Sequence, residues 1–282
     1  MNVPEIIKQI GGGVTAGHII CLAGLIIFGC WMLKTSLGRK ALADSIPRRN
    51  NMPGYLPFIP LFIWWAVALV VTAIAAKAIA DLPNWQAVFV HNLILCIGTL
   101  AAMVVTIFLA KKSFARRLKG FGLNVKTIGR DFLAAPVNLL SVWPLVLAVL
   151  LLTTKIGQLI QGQDFQIQQH EELELVAAYP QVAIRVMIVI TAVFVAPVFE
   201  EMLFRGLFQS MIRSSFIRPW LSIVLSSGLF ALAHQDPVHW PALFVLGMCL
   251  GYAYEKSGSL FRPIFMHSIF NAMSILAALY SG

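Results

Sequence analysis

The stretch Val193-Phe-Val-Ala-Pro-Val-Phe-Glu-Glu-Met-Leu-Phe-Arg205 places two glutamates and an arginine inside an otherwise apolar run. The residues on either side are also apolar, which is typical of a helix inside a membrane. A charge at membrane depth costs several kcal/mol unless it is paired or faces a polar cavity. Glu200 and Glu201 are therefore the first candidates for a functional site.

The composition of the whole chain supports a membrane location. Of its 282 residues, 59% are hydrophobic and 12% are charged, whereas soluble domains carry about 25% charged residues. We predict an all-α fold, a polytopic membrane helix bundle of about eight transmembrane helices at ~20 residues per span. The predicted spans are Thr15 to Leu33, Leu56 to Ala80, Trp85 to Ala110, Phe132 to Thr153, Val182 to about Arg213, Trp220 to His234, Trp240 to Tyr254 and Pro263 to Tyr280.

The net charge of +9 comes from basic residues in alternate loops between the spans. These loops cover residues 34–49, 111–130, 213–218 and 256–262. This pattern is typical of cytoplasmic loops beside anionic lipid headgroups, and it argues against nucleic acid as a partner. We predict a multi-pass protein of the plasma membrane, in contact with membrane lipids, with both termini outside the cytoplasm.

All the cysteines lie within apolar spans, so we expect small buried side chains rather than disulfides or metal ligands. They are Cys21, Cys30, Cys96 and Cys249.

Polar side chains are unevenly distributed between the two parts of the chain. The spans before Arg185 carry few of them, whereas those after Val193 carry Glu, Arg, His and Asn at helical spacing. We predict that residues 1–181 form scaffold helices with an outer loop and that residues 182–282 carry the site. The Gln- and Glu-rich segment from Lys155 to Tyr179 fits either a surface amphipathic helix or a cap over the site, and both interpretations stay open.

The spacing around the two glutamates predicts different environments for them. Glu201 and Arg205 are four residues apart and share a helix face, so a buried ion pair is expected. Glu200 lies ~100° further round the helix and can point elsewhere. Pro197 removes one helix hydrogen bond and is expected to kink the helix just before Glu200.

Two further pairs of polar or aromatic residues have the same four-residue spacing. Phe230 and His234 lie near the end of one span, and His267 and Asn271 lie on the last span. The side chains of His267 and Asn271 can both donate hydrogen bonds to a developing oxyanion. Counting residues from the loops puts Glu200 and His234 at similar depth, but it puts His267 closer to the cytoplasmic side, which requires a tilted or displaced last helix.

Taken in order, these residues form the motifs E-E-x-x-x-R (Glu200 to Arg205), F-x-x-x-H (Phe230 to His234) and H-x-x-x-N (His267 to Asn271). They resemble the CAAX protease and bacteriocin-processing family of intramembrane endopeptidases, which includes the type II CAAX prenyl endopeptidase and the abortive-infection proteins. The resemblance covers roughly Val182 to Leu279. Ser268 stands where bacterial members often have alanine.

The resemblance implies an endopeptidase that hydrolyses peptide bonds of a peptide or membrane protein, with a prenylated CAAX-type substrate as the one that the best-known relatives cut. Glu200 would activate water with the help of His234, and His267 and Asn271 would form the oxyanion hole. The supporting residues would be Glu201, Arg205 and Phe230.

Three alternatives to this interpretation stay open. Glu200, His234 and His267 could instead form a zinc site with an open water position, although no H-E-x-x-H motif is present and Asn271 is a poor zinc ligand. We therefore predict no cofactor, with zinc as the alternative. A proton-coupled transporter could use the same residues as a relay, and a non-catalytic scaffold or immunity protein would leave them unused.

Overall fold

The computed structural model describes residues 16–71, 82–167, 171–216, 218–234 and 236–281, with the single residues 73, 76 and 79 between the first two ranges. Over these residues the secondary structure is helical, and the β-structure consists of one isolated antiparallel bridge between Asn50 and Phe114. The predicted all-α class is confirmed.

The helices are numbered here in chain order. They are α1 (Ala16–Lys34), α2 (Phe58–Ala66, continued by a π-helical turn over Val67–Val71), α3 (Asn84–Ser113), α4 (Arg117–Phe121), α5 (Ile128–Gln161), α6 (Glu171–Ala178), α7 (Val182–Ser215), α8 (Pro219–Leu232), α9 (Trp240–Ser257) and α10 (Phe261–Ser281). Short 3-10 turns precede α5 and α9 at Val125–Thr127 and Pro237–His239.

Helices long and apolar enough to cross a bilayer confirm a multi-pass membrane protein. Four stretches among the described residues meet both conditions: Gly17–Lys34, Asn84–Ser113, Val125–Gln161 and Val182–Ser215. Two shorter apolar helices cover Phe58–Val70 and Pro219–Leu232. The predicted number of about eight spans is therefore not confirmed, and the end of the span predicted from Leu56 to Ala80 lies partly outside the described residues.

The last two helices are long but less apolar than the four spans. Helices α9 and α10 have 18 and 21 residues, and each carries polar side chains along its length. Both pack against α5 and against each other, and a buried apolar cluster that includes Leu139, Leu246 and Met266 joins the three helices. Among their polar residues, Glu255 and His267 are buried, whereas Lys256 is exposed.

The four basic loops meet at one end of the bundle, which we call the basic end. Arg213 donates to the Ser45 carbonyl at 3.2 Å and pairs with Glu255 at 2.9 Å. Arg262 pairs with Asp131 at 2.9 Å. These contacts connect the loops around residues 45, 131, 213 and 260, as the predicted topology requires. Which side of the membrane the basic end faces stays a prediction.

Helix α6 lies within the segment whose role the sequence left open. It packs against α7 and α10, where Val176 is fully buried and Leu173 and Leu175 are partly buried in the same apolar cluster. This segment therefore contacts the helices that carry the polar motifs, as a cap would. The proposed division of the chain at residues 181 and 182 stays a prediction.

The cysteines differ in part from the prediction that all are buried. Cys96 is buried, Cys21 and Cys249 are partly exposed, and Cys30 is exposed. Cys30 lies on α1, which is mostly exposed along its length. The prediction was wrong for Cys30 because an apolar helix at the edge of a bundle presents one face to lipid.

Candidate active site

Helix α7 alternates between α-helical and π-helical geometry around the two glutamates. It is π-helical over Ile190–Val195, α-helical over Ala196–Glu200 and π-helical again over Glu201–Gln209. Such π-helical turns are rare in proteins overall, and those that occur often lie at functional sites. The two glutamates stand on either side of the change from α-helical to π-helical geometry at residues 200 and 201. They differ in environment: the side chain of Glu200 is 13% exposed and that of Glu201 is fully buried.

Glu201 forms the predicted ion pair with Arg205, and both side chains are completely buried. Arg205 Nη1 donates to Glu201 Oε1 at 3.0 Å, and Arg205 Nη2 donates to the Gly247 carbonyl on α9 at 3.2 Å. The guanidinium also lies 4.4 Å from the centre of the Phe230 ring. Two buried charges are tolerated only with good geometry and further hydrogen bonds, and Gly247 and Phe230 supply further contacts.

His267 connects the two glutamates. Its Nδ1 lies 3.0 Å from Glu201 Oε1, and its Nε2 lies 3.8 Å from Glu200 Oε2. An ionised carboxylate only accepts hydrogen bonds, so Nδ1 carries a hydrogen when Glu201 is charged. The Phe230 ring meets the imidazole edge-on with centroids 5.7 Å apart. The depth mismatch expected from residue counting therefore does not separate His267 from the glutamates.

His234 lies just beyond the end of α8, and its orientation is set by local contacts. Its Nδ1 is 2.9 Å from the Phe230 carbonyl, and the two rings are 4.9 Å apart, edge to face. The indole N–H of Trp240 donates to the His234 carbonyl at 2.8 Å. A carbonyl oxygen is an acceptor, so Nδ1 is the protonated nitrogen and Nε2 is left for other chemistry.

Asn271 is bound to the backbone of α7. Its side-chain Nδ2 donates to the Ala192 carbonyl at 2.8 Å. The amide group carries two hydrogens on this nitrogen, so one N–H is used in this bond and one remains.

A cavity of about 130 Å³ separates the predicted catalytic residues, which line it, from the predicted supporting residues, which do not. The four residues predicted to be catalytic all line it: Glu200, His234, His267 and Asn271. Its remaining walls come from α6, α7, α9 and α10, through Leu173, Ala192, Ala196, Leu243, Leu246, Phe270, Ser274 and Ile275. Glu201, Arg205 and Phe230 lie behind this wall. The geometry separates the glutamates as expected, and the catalytic roles themselves stay predictions.

The three residues of the alternative zinc site do not form a preassembled ligand set. Among the described residues, no group of three or more His, Cys, Asp or Glu side chains is close enough to hold a metal ion. His267 directs Nδ1 at Glu201 and His234 directs Nδ1 at the Phe230 carbonyl, an arrangement that zinc-binding histidines also show. The absence of a cofactor, with zinc as the alternative, stays a prediction.

Sequence reasoning missed a row of polar contacts between α7 and α9, which we call the polar ladder. Arg205, Gln209 and Arg213 on α7 bond to the Gly247 carbonyl, the Gly251 carbonyl and the Glu255 carboxylate of α9, at 3.2, 3.0 and 2.9 Å. The ladder runs from the ion pair behind the cavity to the basic end. Its signal in the sequence is a polar residue every four positions on α7, matched by Gly247, Gly251 and Glu255 at the same spacing.

Comparisons with known proteins agree with the motifs. Residues 182–273 match the model of the family described as Rce1-like, type II CAAX prenyl endopeptidase, so the predicted resemblance is confirmed for this part of the chain. An "Uncharacterized 24.3 kDa protein" of Escherichia coli is 30% identical over 95 residues, which are 32% of this chain and 44% of that protein. The chain thus spans less than half the length of this relative. No solved structure matches.

Proposed function

We propose that this protein is an intramembrane endopeptidase that hydrolyses peptide bonds of membrane-associated proteins or peptides. One observation carries the proposal: Glu200, His234, His267 and Asn271, from three separate motifs, line a single cavity in a helical membrane protein. The match of residues 182–273 to an endopeptidase family supports it. The family description makes a prenylated CAAX-type C-terminus the first substrate to test.

In the proposed mechanism Glu200 acts as the general base. Its carboxylate takes a proton from a water molecule, and the resulting hydroxide attacks the carbonyl carbon of the scissile peptide bond. The tetrahedral intermediate collapses, the C–N bond breaks, and Glu200 returns the proton to the leaving amine. His234, on the same cavity wall, helps to orient the water through Nε2.

The negative charge on the tetrahedral intermediate is stabilised by donors already present in the cavity wall. His267 offers a donor at Nε2 when both ring nitrogens carry a hydrogen. The second N–H of Asn271 is the other donor. Removing one such donor typically slows an enzyme by about 10²–10³.

Glu201 and Arg205 act on the reaction through His267. Glu201 Oε1 holds Nδ1 of the imidazole at 3.0 Å, and the same oxygen accepts from Arg205 Nη1 at 3.0 Å. The ring is thereby kept where its Nε2 faces Glu200. We also propose a plasma-membrane location with the basic end in the cytoplasm, because basic loops are retained on that side.

The test is cleavage by purified protein in liposomes, beginning with a prenylated CAAX-type peptide and its unprenylated form. Glu200→Gln keeps the size of the side chain and removes the base, so we expect cleavage to fall by about 10³ or more. Glu174→Gln, on the exposed face of α6, is the matched control and is expected to cleave like the wild type. Full activity of Glu200→Gln would refute the mechanism.

The physiological substrate can be sought in cells with the same pair of variants. A protein that accumulates uncleaved with Glu200→Gln, and not with Glu174→Gln, is the expected substrate. If purified protein instead carried protons across liposomes and no protein accumulated, the transporter alternative would replace the proposal.

A further inference from the structure

The first π-helical turn of α7 leaves one backbone carbonyl without its usual donor. In a π-helix the N–H of residue i donates to the carbonyl of residue i−5, and this register is seen where the Ala196 N–H donates to the Thr191 carbonyl. The next donor in the same register is residue 197, which is proline and has no N–H. The Ala192 carbonyl therefore has no backbone donor from that position.

The side chain of Asn271 supplies the missing donor. Its Nδ2 lies 2.8 Å from the Ala192 oxygen, although the two residues are 79 positions apart in the chain. A carbonyl that lacks a hydrogen bond inside a membrane protein is costly, and side chains of neighbouring helices commonly satisfy carbonyls freed by proline. The bond joins α10 to α7 just before the segment that carries Glu200.

We propose that Asn271 is a positioning residue that replaces the N–H missing at Pro197 and thereby fixes the register of α7 ahead of Glu200. A slip of one residue at this junction would turn the following part of the helix by ~100° relative to the preceding part. Glu200 and Glu201 differ by the same ~100°. The bond therefore helps to determine which of the two carboxylates faces the cavity.

This role is distinct from the oxyanion role of Asn271, which uses the second N–H and rests on the proposed function. The positioning role rests on geometry alone, and neither of the experiments below measures cleavage. Failure of the proposed endopeptidase activity would therefore leave it untouched.

The first experiment is a double-mutant cycle on thermal unfolding of the purified protein, with Asn271→Ala, Pro197→Ala and both together. Asn271→Ala should lower the unfolding midpoint by several degrees, because the Ala192 carbonyl loses its donor. In the Pro197→Ala background residue 197 has an N–H again, so Asn271→Ala should have a much smaller effect.

Equal effects of Asn271→Ala in the two backgrounds would overturn the proposal. If the single variant cannot be purified, recovery of a folded double variant supports the proposal, and failure of both to fold overturns it.

The second experiment measures the direction of residue 200 by thiol labelling. Glu200→Cys is placed in a chain whose four native cysteines are replaced by alanine, and its reaction with a water-soluble methanethiosulfonate is timed. Asn271→Ala should slow labelling several-fold, and adding Pro197→Ala should restore most of the rate.

Ser274→Cys is the matched control because Ser274 lines the same cavity from α10. Its labelling rate should be the same in every background if access to the cavity is unaltered. Labelling of residue 200 that does not respond to Asn271→Ala would show that the bond does not position the glutamate.

Discussion

The adjacent glutamates are expected to respond in opposite ways to the same chemical change. Glu201→Gln keeps the size of the side chain and removes a negative charge that lies 3.0 Å from both Arg205 Nη1 and His267 Nδ1. Arg205 is completely buried, so its charge would have no water to replace the lost partner. Breaking a buried pair in this way costs about 3–5 kcal/mol.

Glu200→Gln removes a charge of a different kind. Among the described residues Glu200 Oε2 has no hydrogen-bond partner, and His267 Nε2 approaches it only to 3.8 Å. The substitution therefore breaks no short contact of that oxygen, and it relieves the cost of holding a partly buried charge. We expect the free energy of unfolding to change by less than about 1 kcal/mol, toward greater stability.

Thermal unfolding of the two variants in detergent micelles measures this contrast. The midpoint for Glu201→Gln should fall by on the order of 10 °C, and that for Glu200→Gln should equal or exceed the wild type. Glu174→Gln, on the exposed face of α6, should leave the midpoint unchanged. The reasoning is refuted if Glu200→Gln loses as much stability as Glu201→Gln, or if Glu201→Gln unfolds like the wild type.

Three further outcomes are expected from the same protein. Gly251→Ala should destabilise the protein by about 1–3 kcal/mol, because the added Cβ would lie 3.1 Å from Ile223 Cγ2 and 2.8 Å from Oε1 of Gln209, whose amide is held by the Gly251 carbonyl and Glu255. Gly129→Ala, with no atom within 4 Å of its added Cβ, is the control, and equal unfolding midpoints for the two variants would contradict this expectation. Glu255→Gln should cost about 3–5 kcal/mol by removing the carboxylate charge that pairs with the buried Arg213 at 2.9 Å, and an unchanged denaturation midpoint would show that this pair is dispensable. Cleavage should persist in the presence of a metal chelator, because no step of the proposed mechanism uses a metal, and loss of activity that added zinc restores would argue for the zinc alternative.

Much of the site could be predicted because its signals are local in the chain. Four-residue spacing on a helix depends only on helix geometry, which is why the Glu201–Arg205 pair is present as expected. The same helix geometry predicts that Glu200 points away from Glu201, and the side chain of Glu200 is accordingly the less buried of the two. The apolar runs likewise predicted the helical class, because a lipid environment demands that the backbone satisfy its own hydrogen bonds.

Other features depend on contacts between distant segments, which spacing does not encode. The contact of His267 with both glutamates could not be counted from the loops, and the tilted or displaced last helix stays a prediction. Residue counting assumes regular helices, whereas α7 contains two π-helical segments. The Asn271–Ala192 bond depends on the register of one of them. The number of spans was also uncertain for a physical reason: α9 and α10 carry buried polar residues such as Glu255 and His267, so hydropathy alone does not identify these helices as spans.

The polar ladder has a consequence for how a substrate reaches the cavity. Arg205, Gln209 and Arg213 are held by α9 at successive turns, so a sliding or rocking motion between α7 and α9 would have to break all three contacts together. These two helices are therefore expected to stay together when the bundle moves. An opening for the proposed polypeptide substrate is therefore expected at another helix boundary. Helices α6 and α10 also line the cavity and take no part in the ladder.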